Sequence, residues 1–100
     1  MIKNVDTEAE FDAAVATGTR LVDFWATWCG PCKMMGAVIE AKIAPAKPEL
    51  DIVKVDVDKC PQLAVRFGVQ SIPMLLVFKN GQKTAGFVGV TRPEEILAAL

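Results

Sequence analysis

The chain contains no histidine and only three cysteines among its 100 residues. The absence of histidine restricts metal binding and acid–base catalysis alike, since histidine is the commonest metal ligand and the side chain that titrates near neutral pH. Neither sign of charge is in excess: 11 Lys plus Arg stand against 12 Asp plus Glu, for a net charge of −1. Without a basic excess nothing points to nucleic acid, and without an acidic tail nothing points to a cationic partner. Long apolar runs are missing too. The longest, Ile72 to Phe78, contains Pro73 and falls far short of the ~20 residues a membrane-spanning helix needs. The opening MIKNVDTEAEFDAA lacks the apolar core and small-residue cleavage site of a signal peptide, so a cytoplasmic protein away from the membrane is expected.

What is present suits one compact α/β domain over residues 1–100. Hydrophobic residues make up 52% of the chain, enough for a core, and no repeat or low-complexity tract interrupts it. Residues 2–5 suit a short edge strand. Thr7 with Glu10 forms a capping box ahead of a helix in which Phe11, Ala14 and Val15 share a face, ended by Gly18. Residues 20–26 (RLVDFWA) are almost continuously apolar, as in a parallel strand buried on both faces. A helix can start at Pro31, with Met35, Val38, Ile39 and Ile43 along one stripe and Pro45 and Pro48 as stops. Residues 51–57 alternate and are valine-rich, a strand. Pro61 opens a short helix bearing Leu63 and Phe67 and closed by Gly68. Residues 74–79 form another buried strand, and Asn80-Gly81 predicts a hairpin to an antiparallel strand over roughly 84–88. Thr91, Pro93 and Glu94 are expected to cap a last helix carrying Ile96, Leu97 and Leu100. The order β-α-β-α-β-α-β-β-α implies a mixed five-stranded sheet flanked by four helices, with consecutive parallel strands adjacent.

Two of the three cysteines fall in Trp28-Cys29-Gly30-Pro31-Cys32, between a strand and a helix. Strand ends of this kind are where open α/β sheets carry their sites. The spacing brings both side chains within disulfide range. Cys29 falls at the helix N-terminus, where unpaired amides and the helix dipole favour an anion and so a nucleophilic thiolate. Cys32, one turn further in, is expected to be more buried and to act as the resolving thiol. A structural zinc site needs about four ligands, mainly cysteine and histidine, and only Cys60 remains. A purely structural disulfide closing so short a loop fits poorly in a reducing compartment. The pair therefore reads as redox-active, with no metal.

Asp23 is a lone carboxylate inside the apolar strand, and burial should raise its pKa. Alternation places Leu21, Asp23 and Trp25 on one sheet face, and Lys54 is the only basic residue in the 51–57 strand. One reading is a structural Asp–Lys pair. The other is a proton acceptor for Cys32, tuned by Lys54; the two are compatible.

The run VDFWATWCGPCKM at 22–34, with SIP at 71–73, FKNG at 78–81 and VGV at 88–90, closely resembles the thioredoxin family, and the likeness extends over essentially the whole chain. The resemblance implies a thioredoxin fold and a general protein-disulfide reductase working by dithiol–disulfide exchange. It implies Cys29 as nucleophile, Cys32 as resolving cysteine, Asp23 as buried acid and Lys54 as its neighbour. Pro73 becomes a cis-proline facing the disulfide, holding Ile72 extended to pair with a substrate strand. Trp28, Gly30, Pro31, Ile72, Pro73 and Gly89 would line the substrate groove. No bound cofactor is implied beyond the redox-active Cys29–Cys32 disulfide. The implied partners are disulfide-containing proteins and a thioredoxin reductase, an NADPH-dependent flavoprotein, with no nucleic acid and no membrane; the protein itself would be a monomer.

Two positions depart from the family pattern. Ala37 replaces a helix-kinking proline, so a straighter helix and an altered potential are expected, and Met74 replaces a threonine at the groove's edge. Cys60 lies outside the motif, before Pro61 and near another helix N-terminus; it reads as an unused loop cysteine, the alternative being reversible oxidation or intermolecular pairing of an exposed thiol. Two rival functions remain at this level. A disulfide oxidase or isomerase is disfavoured by Gly-Pro between the cysteines, and a pure binding module by the intact WCGPC beside Asp23 and Lys54.

Overall fold

A computed structural model describes residues 1–100. Five strands, β1 (Ile2–Val5), β2 (Thr19–Trp25), β3 (Asp51–Asp56), β4 (Met74–Lys79) and β5 (Gln82–Val88), form one mixed sheet in the order β1-β3-β2-β4-β5. β1 and β2 run parallel to β3, while β4 is antiparallel to both β2 and β5. The expectation that consecutive parallel strands would be adjacent holds for β2 and β3 but not for β1 and β2, which β3 separates. Burial explains the order. β1 buries only Val5 and takes the edge, whereas β2 is buried from Leu21 to Phe24 and belongs at the centre.

Four helices cover the sheet: α1 (Glu8–Val15), α2 (Gly30–Val38), α3 (Pro61–Arg66) and α4 (Pro93–Ala99). The alternation along β2 sorts the core into two layers. Val22 and Phe24 face α1 and α3, meeting Phe11, Val15, Cys60, Leu63 and Phe78. Phe11, Phe24, Phe67 and Phe78 form a chain of ring contacts there, with centroids 5.3–6.2 Å apart, in tilted and edge-to-face arrangements that suit the ring quadrupole. Leu21 faces the opposite way, toward Met35 of α2, Ile39 and Ile43 just beyond it, and Ile96 of α4.

Local signals set the element ends. Glu10 N donates to Thr7 Oγ1 at 3.1 Å, completing the cap of α1. Asn80 (φ 51°) and Gly81 (φ 84°) both adopt the left-handed conformation that a two-residue hairpin turn demands. Asn80 further ties the hairpin to the α1–β2 loop, accepting from Gly18 N at 2.8 Å through Oδ1.

Two further expectations are revised. The helix carrying Ala37 is not uniformly α: past Val38 it widens into a π-helical turn over Ile39–Ile43, with Ala44 N donating to Ile39 O at 2.9 Å. The irregularity thus arises without proline and beyond position 37. Thr91 does not cap α4. Arg92 occupies that position without a side-chain bond, and Thr91 is buried, its amide turned toward α2.

Candidate active site

β2 ends at Trp25, and a short turn leads into α2, whose N-cap is Cys29 in extended conformation (φ −91°, ψ 107°). Pro31 sits in the first turn, where its missing N–H costs nothing. Cys29 and Cys32 are joined in a disulfide, with their Cα atoms 5.2 Å apart. Cys29 Sγ also accepts the Cys32 amide at 3.2 Å. An amide aimed at this sulfur and the positive end of α2 both favour negative charge there once the disulfide opens. The expected contrast in burial is small: Cys29 is 5% exposed and Cys32 3%, because both pack in one cluster with Ala26 against Trp25, Val57 and Ile72.

The Ile72-Pro73 peptide is cis, as the resemblance implied, and Ile72 O lies 3.9 Å from Cys29 Sγ. Pro73 O accepts from Gly89 N at 2.8 Å, which brings the loop after β5 alongside. Gly89 has φ 80°, while a Cβ there would meet nothing within 4 Å. Backbone conformation, not space, is what selects glycine at this position. Gly30 and Pro31 are exposed beside the disulfide, and Trp28, Val88 and Val90 add exposed apolar surface nearby. Met74 is half-buried against the aromatic layer on the Phe24 side of the sheet.

Asp23 and Lys54 are register partners on β2 and β3, on the sheet face covered by α2. They form no ion pair, so the structural Asp–Lys bridge does not exist as such. Lys54 Nζ instead lies 4.6 Å from the centroid of the Trp25 ring, a cation–π contact. Asp23 is 1% exposed, and its Oδ1 has no hydrogen-bond partner. Burial pushes its carboxyl up from 3.8 to about 6, partly offset by the nearby Lys54 charge. An unpartnered buried carboxylate is costly, so the acid form is favoured well above the usual carboxylate range.

Cys60 is the N-cap of α3, yet it makes no capping bond and is 2% exposed, packed among the aromatic layer. Pro61 starts the helix, and the thiol turns inward as a small hydrophobe.

Sequence reasoning missed Asp58. Trp28 Nε1 donates to Asp58 Oδ2 at 2.8 Å, and Asp58 N donates to the buried Asp56 Oδ1 at 2.9 Å. The signal is the Asp-Val-Asp at the end of β3, since aspartates bond their own backbone two residues on and so build turns. Which indole the second aspartate would meet is a tertiary matter.

A family profile described as Thioredoxin matches residues 2–100. Thioredoxin of Staphylococcus aureus is 51% identical over 92 residues, covering 92% of this chain and 88% of its own. Among solved structures, the thioredoxin of Malassezia sympodialis superposes with a TM-score of 0.86 at 40% identity, over 98% of this chain and 88% of that one. Oxidised mitochondrial thioredoxin 3 of Saccharomyces cerevisiae gives 0.87 at 33% identity, over 97% and 91%.

Proposed function

The chain belongs to the thioredoxin family and is a thiol–disulfide oxidoreductase, and from that premise we propose a division of labour among its residues. Cys29 is the nucleophile. In the dithiol state its thiolate attacks one sulfur of a substrate disulfide, forming a mixed disulfide and expelling the other substrate sulfur as a thiolate. Cys32 then gives up its proton and attacks Cys29 Sγ. This breaks the mixed disulfide, releases the second substrate thiolate and leaves the Cys29–Cys32 bond. Two electrons pass from the protein dithiol to the substrate.

Asp23 receives the Cys32 proton, directly or through water. A carboxyl raised to about 6 suits that role, because proton transfer is most effective when the acceptor's pKa lies near the operating pH. Lys54 tunes it electrostatically. Trp28, Gly30, Pro31, Ile72, Pro73 and Gly89 form the groove, in which an extended substrate segment pairs with the Ile72 backbone. The protein works in the cytoplasm as a single-domain monomer without a bound cofactor. An NADPH-dependent flavoprotein reductase returns it to the dithiol.

One observation carries this reading: the disulfide at the N-terminus of α2, with Ile72 O beside Cys29 Sγ. Cys32→Ser should accumulate mixed disulfides through Cys29 with proteins of a cell extract, and Cys29→Ser should not. Equal trapping by the two variants would defeat the assignment of roles.

A further inference from the structure

The contacts around the disulfide close into a ring through a residue the reaction does not use. Ile72 O faces Cys29 Sγ, and Pro73 O receives the Gly89 amide. Two residues on, Thr91 Oγ1 donates back to Gly89 O at 3.0 Å. Thr91 N then donates to Met35 Sδ at 3.3 Å. Met35 lies one helical turn beyond Cys32 on α2, which returns the path to the disulfide. One wall of the groove, Gly89 to Thr91, is therefore tied at one end to Pro73 and at the other to the active-site helix.

The second tie is unusual in its chemistry. Met35 is fully buried and Thr91 nearly so, so the Thr91 amide needs a partner within the protein. A thioether is a weak acceptor, yet it is the partner this amide has. Packing alone does not call for sulfur here, since leucine fills nearly the same volume. The neighbouring Val88 and Val90 are 66% and 49% exposed, so the wall held by this tie presents apolar surface outward.

We propose that Met35 is a positioning residue for the substrate groove: its thioether holds the Thr91 amide and so sets the Gly89–Val90 wall against Ile72-Pro73. The proposal rests on the reading that this groove receives disulfide-bonded proteins. It separates two kinds of substrate. A small disulfide needs only the sulfurs of the site, whereas a protein segment must also lie against the wall. Loss of the tie therefore weakens protein substrates selectively.

Met35→Leu removes the acceptor and keeps the volume. The Thr91 amide proton should move upfield and lose protection from solvent exchange. KM for insulin should rise about threefold to tenfold, the worth of one modest hydrogen bond. Its kcat, and the rate with oxidised glutathione, should stay within about twofold. An unchanged Thr91 amide with an unchanged insulin KM would overturn the proposal. So would equal losses on insulin and glutathione, which would assign Met35 to packing behind Cys32. Thr91→Val tests the same wall without touching Met35, by deleting the Oγ1 bond to Gly89. It should raise the insulin KM and spare glutathione; an unaltered insulin KM refutes the proposal even if Met35→Leu fails to fold. A wild-type protein that reduced neither substrate would instead refute the underlying reading.

Discussion

Replacing Asp23 with asparagine should remove a pH dependence from the protein's stability and favour the variant increasingly as pH rises toward neutral. Asp23 is almost wholly buried, and its carboxyl is raised from 3.8 to about 6. At ~1.36 kcal/mol per pKa unit, ionised Asp23 costs the folded state about 3 kcal/mol more than it costs the unfolded chain. The sign follows from proton binding. Below about pH 3.8 the side chain is protonated in both states and carries no penalty. Between about 3.8 and 6 the folded protein holds the proton while the unfolded chain releases it, so stability falls as pH rises. Above about 6 both are ionised and the whole penalty is present. Asparagine, neutral throughout, lacks this slope. Its amide protons bring their own desolvation, which shifts the variant's stability by a constant but leaves the slope absent. Urea unfolding of the two oxidised proteins from pH 3 to 8 isolates the effect as their difference. That difference should grow by about 3 kcal/mol across the window, moving the wild-type midpoint by roughly 1–3 M relative to the variant for ordinary urea slopes. A difference flat in pH would show that Asp23 is ionised at its ordinary value in the folded protein. The stability argument and its assigned place in proton transfer would then fall together.

Two further outcomes follow from the same geometry. Asp58→Ala removes the partner of the Trp28 indole; its N–H resonance should move upfield and exchange faster, and KM for insulin should rise about twofold to fivefold. No change in either would mean that Trp28 is held by its ring contacts alone. Gly36→Ala should stabilise the protein by about 0.5–1 kcal/mol through helix propensity. An added Cβ meets only Lys54 Nζ, at an ordinary 3.9 Å, and a fall in Tm would contradict that.

The site was legible where chemistry is local. WCGPC declares its own helix start, its own capping sulfur and its own spacing, and Asn80-Gly81 declares a turn that both residues then adopt. Asp23 stood out because a charge within an apolar strand has few bland explanations. What the sequence pattern left open was pairing at a distance. The insertion of β3 between β1 and β2 depends on which strand has more surface to bury, a comparison across 50 residues rather than a motif. Thr91 resembles a helix cap in its local context and is claimed instead by a sulfur 56 positions away. Lys54 is the register partner of Asp23, but its preference for the Trp25 ring over a carboxylate contact is a matter of tertiary geometry.

The aromatic residues divide the molecule into two optical compartments. Both tryptophans stand at the cysteine end, Trp25 against the disulfide cluster and Trp28 at the surface, while four of the five phenylalanines interlock on the far side of the sheet under α1 and α3. With no tyrosine in the chain, its emission comes from the two indoles at the redox centre, and the phenylalanine layer behind it is nearly silent. The protein thus comes with an unlabelled reporter of its chemistry, and a variant that lowers stability without altering the folded protein's emission declares that it acts in the scaffold.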